Sequence, residues 1–152
     1  MAGEGHAVRI TTRTEGGRAA IEETGAECWI GTPDRLATLR GALANVTIAC
    51  WMLAGAHGDA EDVAALHGSR LEFFLTQAID TTVRGLIYDA TPGHVPRHAL
   101  AEGERLVRTL TALNAIPLAL LGADGSAAVA GDDEDAWIGE AAAAVERLLA
   151  RA

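Results

Sequence analysis

Apolar side chains recur along the middle of the chain at helical spacing. Leu36, Leu39, Leu43, Val46, Cys50 and Leu53 follow one another in steps of three and four, which sets a single stripe along one face of a helix over residues 34–54. Trp51 and Met52 widen the stripe. A second apolar set, Val63, Leu66, Leu71, Phe74, Ile79, Val83 and Leu86/Ile87, predicts a helix over 61–88 that Gly68 and Ser69 can break. Thr91 to Pro96 is a loop rich in breakers. Leu100, Leu106, Val107, Leu110 and Leu113 predict a third helix over 97–113, and Pro117 closes it. Trp137, Ala141, Ala144, Val145 and Leu148 predict a last helix over 135–151.

The ends of this pattern differ. Ala7 to Thr12 alternates weakly, Gly16-Gly17 turns, and Cys28-Trp29-Ile30 returns as a strand, which gives a short β-hairpin or an extended arm. Leu118–Leu121 and Ala127–Ala130 flank an Asp124-Gly125 turn and read as a second small hairpin. The expected fold is mainly α, an up-down bundle of four to five helices with an N-terminal arm. Residues 1–33 form the arm or hairpin and 34–152 the bundle, within a single domain of 152 residues.

Composition narrows the function classes. Apolar residues make up 49% and aromatics only 4%, a balance that suits close-packed helices. No apolar run is long enough to span a bilayer, and the N-terminal residues lack an export signal, so the expectation is a cytoplasmic protein without a membrane partner. Cys28 and Cys50 are read as reduced thiols. All 12 basic residues are arginine, and the net charge is −9. That balance provides no electrostatic footprint for nucleic acid. The absence of lysine removes Schiff-base chemistry and a Walker-type lysine. Any phosphate contact therefore falls to arginine or backbone N–H.

The candidate chemistry is sparse. His94, His98 and Glu102 have the spacing of a helical metal site, but Pro96 separates the two histidines, so no metal site is expected. His57 and His67 are read as solvated, and the carboxylates of 132–135 as charges at a helix N-terminus. Ser69 and Ser126 lack a nucleophile-elbow context, and no catalytic residue is assigned. What remains is Arg13 between the Thr12 and Thr14 hydroxyls, Asp34 as the N-cap of the first long helix in the Gly31-Thr32-Pro33-Asp34 junction, and Glu146-Arg147 on the last helix. Arginine beside hydroxyls suits phosphate.

These residues carry a resemblance. Thr12-Arg13-Thr14 in an arm, the Gly31 to Asp34 junction with Gly41 on the following helix, and Glu146-Arg147 near the C-terminus resemble the trimeric ATP:cob(I)alamin adenosyltransferases, which are five-helix bundles. The resemblance implies that Thr12, Arg13 and Thr14 contact ATP phosphates, that Asp34 lies at an intersubunit site, and that Glu146 and Arg147 belong to the nucleotide pocket with the corrinoid beside them. It implies cobalamin and ATP as cofactors and a homo-oligomer, a trimer. Glu15-Gly16 and Ala143-Ala144 replace the acidic and basic residues of the family's motifs, which points to a divergent member with weak or lost adenosyl transfer. A non-catalytic helical module acting through self-assembly or a protein partner stands as the alternative.

Overall fold

The computed structural model describes residues 5–122 and 134–152. The Asp124-Gly125 turn, Ser126, Ala127–Ala130, and the first two carboxylates of the acidic run lie outside the described residues. The chain divides into two compact units, 1–44 and 45–152, and its architecture is parallel α/β. The expected helical bundle is thereby overturned.

In the first unit, β1 (Arg9–Thr12) is followed by a 3-10 turn at Glu15–Gly17, α1 (Arg18–Glu23) and β2 (Glu27–Ile30). The strands pair in parallel, with Arg9 opposite Glu27 and Thr12 opposite Ile30. The expected hairpin is therefore a β-α-β crossover, which a parallel pair needs because a two-residue turn cannot reverse it. The expected helix from Asp34 does not form. Residues Leu36–Thr38 and Gly41–Leu43 are separate 3-10 turns, and Asn45 takes a left-handed backbone (φ 60°).

Trp29 and Leu39 decide two of the glycines. A Cβ on Gly41 would stand 2.6 Å from the Trp29 ring, and one on Gly31 would stand 2.9 Å from Leu39. The Trp29 indole donates to the Thr38 carbonyl at 2.8 Å. Arg9 ties the unit together: its Nη1 donates to the carbonyls of Ala42 (2.7 Å) and Ala44 (2.9 Å) and its Nε to Glu27 (2.9 Å), while the guanidinium lies 5.6 Å from the Trp29 ring centre.

The second unit alternates strand and helix: β3 (Ile48–Trp51), α2 (Ala60–His67), α3 (Ser69–Ile79), β4 (Gly85–Asp89), α4 (Arg97–Leu113), β5 (Leu118–Leu121) and α5 (Glu134–Leu149). All three strands are parallel in the order β3-β4-β5. The expected helices over 34–54 and 61–88 each end in one of these strands, whereas the helix over 97–113 matches α4. The second expected hairpin begins instead with β5 beside β4.

Alternation along the strands divides the sheet into two covered faces. Ile87, Leu121, Ile48 and Ala119 pack against Ala141, Ala144, Val145 and Leu148 of α5. On the other face Trp51 meets Phe74 of α3 with ring centres 4.7 Å apart, and the Tyr88 hydroxyl reaches the Leu100 carbonyl of α4. β4 is buried at all five positions, as befits a central strand.

Candidate functional site

Open parallel α/β sheets place their ligands in the crevice beyond the carboxyl ends of the strands. In the first unit that end carries Thr12, Arg13 and Thr14 after β1 and the Gly31 to Asp34 turn after β2. The Gly31 amide donates to the Thr12 carbonyl at 2.9 Å, which fixes the ends of both strands side by side. Gly17 lies so close to the Thr12 side chain that a Cβ there would overlap the hydroxyl, so the turn after β1 folds back over the strand end.

Arg13 and Asp34 meet here, with Nη2 3.5 Å from Oδ2 and side chains 64% and 38% exposed. Asp34 is held in a tight turn rather than capping a helix: the Thr32 hydroxyl donates to its Oδ2 at 2.9 Å, and its own amide donates back to that hydroxyl at 3.2 Å. Arg18 is committed elsewhere, bonded to Glu15 at 2.6 Å and to Glu22 at 3.2 Å, and the first of these bonds holds the Glu15 carboxyl below the usual carboxylate range. The loosely paired Arg13, between two hydroxyls, is thus an exposed cation presented by a strand end.

In the second unit the carboxyl ends carry Asp89, Thr91 and Gly122. Asp89 is buried, and its Oδ1 accepts from the Thr91 amide at 3.0 Å and from the Thr91 hydroxyl. Gly122 has φ +69°, and a Cβ there would stand 2.5 Å from Thr91 Cα. The loops after β4 and β5 are therefore in direct backbone contact. His57 and His94, in the loops after β3 and β4, have ring centres 4.1 Å apart.

Beneath these loops lies a polar group that the sequence reading misplaced. His67 is fully buried, not solvated. Its Nδ1 is 2.7 Å from the Tyr88 hydroxyl and its Nε2 is 3.3 Å from the Leu53 carbonyl. A carbonyl only accepts, so Nε2 carries the hydrogen, and Nδ1 of the neutral ring accepts from the Tyr88 hydroxyl, whose one hydrogen is then not shared with the Leu100 carbonyl 3.3 Å away. Burial holds the imidazole below its ordinary pKa, against a smaller opposing pull from the Leu53 carbonyl and Asp89. Burial likewise pushes the Tyr88 phenol up. Both groups are neutral near pH 7.

Glu146 and Arg147 lie on the exposed side of α5. Their neighbour Leu148 packs on Gly85, the first residue of β4, so this part of α5 runs past the amino end of that strand. Among the described residues no three His, Cys, Asp or Glu side chains form a metal cluster. No helix there is long and apolar enough to cross a membrane. Both cysteines are free thiols.

No family model matches the sequence, and comparison with curated proteins found no match. Solved structures do match. The crystal structure of gox2253 aligns with TM-score 0.61 at 21% identity, over 78% of this chain and 44% of that one. Triphenylmethane reductase of Citrobacter sp. aligns with TM-score 0.56 at 19% identity, and its complex with NADP(H) with TM-score 0.56 at 20%; in both, 74% of this chain and 38% of the other are covered. The chain thus spans less than half the length of each of these structures. These matches share the parallel α/β fold and not a helical bundle, so the adenosyltransferase resemblance is overturned, and cobalamin and ATP lose their support with it. The parallel strands and the structural matches agree on one architecture: a Rossmann-like α/β fold.

Proposed function

We propose that this chain is a nucleotide-binding α/β domain of the nicotinamide-dinucleotide class, with Thr12, Arg13 and Thr14 receiving the ribose phosphate of an NADP(H)-type cofactor. The observation that carries the reading is the exposed Arg13 guanidinium at the carboxyl end of parallel β1, 3.5 Å from Asp34 in the turn after β2. An arginine at such a strand end is the group that accommodates the 2′-phosphate in dinucleotide-binding folds, whereas a carboxylate there accepts from a free 2′-hydroxyl. The fold's likeness to a reductase crystallised with NADP(H) supports the same class.

The residues present fit one end of such a ligand. Arginine supplies a planar fork for the phosphate oxygens, and the flanking hydroxyls add donors. The sequence holds no Gly-x-Gly-x-x-Gly run, so the pyrophosphate finds no glycine-rich turn among these residues and recognition rests on the phosphate-bearing ribose. Glu146 and Arg147 have no part in this reading, because their assignment to a nucleotide pocket depended on the adenosyltransferase resemblance. When bound, a nicotinamide cofactor supplies hydride-transfer chemistry. What Thr12, Arg13 and Thr14 do is bind and orient.

Titration of the protein with NADPH and NADH, followed by amide chemical shifts, tests the proposal. A charge-assisted hydrogen bond contributes about 1.5–3 kcal/mol, so NADPH should bind about tenfold or more tightly than NADH, and Arg13→Ala should abolish the difference. Equal binding of the two cofactors, or no shift at the amides of residues 12–14 with millimolar NADPH, would overturn it.

A further inference from the structure

We infer that His57 and His94 form a two-histidine site for a divalent transition-metal ion at the carboxyl end of the second unit's sheet. Their imidazole rings lie with centres 4.1 Å apart and planes inclined at 57°, and both side chains are exposed. The pairing has a cause in the fold. β3 and β4 are adjacent parallel strands, so the loops that follow them emerge side by side.

The backbone around each histidine is pinned in the same apolar cluster. Val95, next to His94, is buried with Ala54, Val63, Ala99 and Leu100, and Ala56, next to His57, packs against that cluster. The Ala56 amide also closes a turn onto the Leu53 carbonyl at 3.0 Å. The imidazoles are therefore brought together by buried neighbours while they themselves remain in solvent.

Two imidazoles at this spacing suit a borderline dication such as zinc, nickel or copper. With metal–nitrogen bonds of about 2.0–2.1 Å, two rings sharing one ion have their centres about 4.5–5 Å apart, so the rings need to part by less than about 1 Å. Among the described residues no third His, Cys, Asp or Glu completes a cluster. The remaining coordination positions are left to water or to an anionic ligand. The inference is independent of the nucleotide reading: it concerns different residues and a different ligand.

Calorimetric titration with nickel chloride at pH 8 tests it. Nickel suits imidazole, whereas zinc is also taken by thiolates and would report on Cys28 and Cys50. One ion should bind per chain, and His57→Ala and His94→Ala should each weaken binding by at least about tenfold, with unchanged thermal unfolding because both positions are exposed. His98→Ala, which alters an exposed histidine outside the pair, should bind as wild type does. Absence of binding, or binding that survives either His57→Ala or His94→Ala, would overturn the assignment.

Discussion

The backbone of Gly103 in α4 lies directly against the Tyr88 hydroxyl, so close that a Cβ at position 103 would overlap the phenol oxygen and stand 2.7 Å from Tyr88 Cζ. This contact lets α4 settle onto β4 while the Tyr88 hydroxyl donates to His67 and lies 3.3 Å from the Leu100 carbonyl. A glycine inside a 17-residue helix is otherwise unfavourable, so close approach is what it provides here.

Gly103→Ala should consequently destabilise the protein by about 1–3 kcal/mol through overpacking, despite alanine's better helix propensity. Gly139, inside α5 with no atom within 4 Å of its would-be Cβ, is the control. Gly139→Ala should stabilise by up to about 1 kcal/mol. Urea unfolding of both variants measures the pair, and equal signs would refute the packing argument.

The buried His67 gives a pH dependence with a definite sign. Its folded-state pKa lies below the ordinary 6.5, so as pH falls through that value the unfolded chain takes up a proton that the folded chain refuses. Stability from this group is complete above pH 6.5 and declines as pH drops toward the lowered value, with a slope of at most about 1.4 kcal/mol per pH unit. His67→Gln should remove that slope. Unfolding free energies between pH 7 and 5 for the two proteins check it: the wild-type curve should fall more steeply than the variant's.

In the first unit Arg9 holds the Gly41–Leu43 turn and the residue after it to the start of β1. With its side chain only 22% exposed, Arg9→Ala leaves the part-buried Ala42 carbonyl without its donor, at a cost of about 1–3 kcal/mol. Arg9→Lys should recover little, because a single ammonium cannot reach both carbonyls and Glu27 in the fork's geometry. Hydrogen exchange at the Glu27 and Gly31 amides, which donate to Val8 and Thr12, should quicken in both variants. Full protection in Arg9→Lys would show that charge alone suffices.

The sequence made the long amphipathic helix α4 and the apolar face of α5 legible, and it hid the strands. Gly85 to Asp89 is a short apolar run buried on both faces, and such a run has no period to separate it from helix. The stripe from Leu36 to Leu53 fitted helical spacing by coincidence. It crosses two 3-10 turns, a left-handed Asn45 and a strand, and the β-branched Val46-Thr47-Ile48 run was the contrary signal. The meeting of Arg13 and Asp34 follows from two short segments flanking one crossover, so its members could be named from sequence even though the fold assigned to them was wrong. The His57–His94 and His67–Tyr88 pairs could not, because each joins side chains that become neighbours only once the strands lie in parallel.

The pairing of Arg13 with Asp34 yields one more prediction, opposite in sign to ordinary damage of a binding site. If a ribose phosphate occupies Arg13, the Asp34 carboxylate at 3.5 Å competes for the same guanidinium and repels the incoming anion. Asp34→Asn keeps an oxygen acceptor for the Thr32 hydroxyl while removing the charge. An exposed ion pair contributes about 0–1 kcal/mol, so NADPH binding should tighten by up to about fivefold in Asp34→Asn, while NADH, whose free 2′-hydroxyl loses a carboxylate acceptor, should bind no more tightly. The gain should shrink in high salt, since it is a charge effect between exposed groups. Weaker NADPH binding in Asp34→Asn would mean that the carboxylate positions Arg13 for its ligand instead of competing with it.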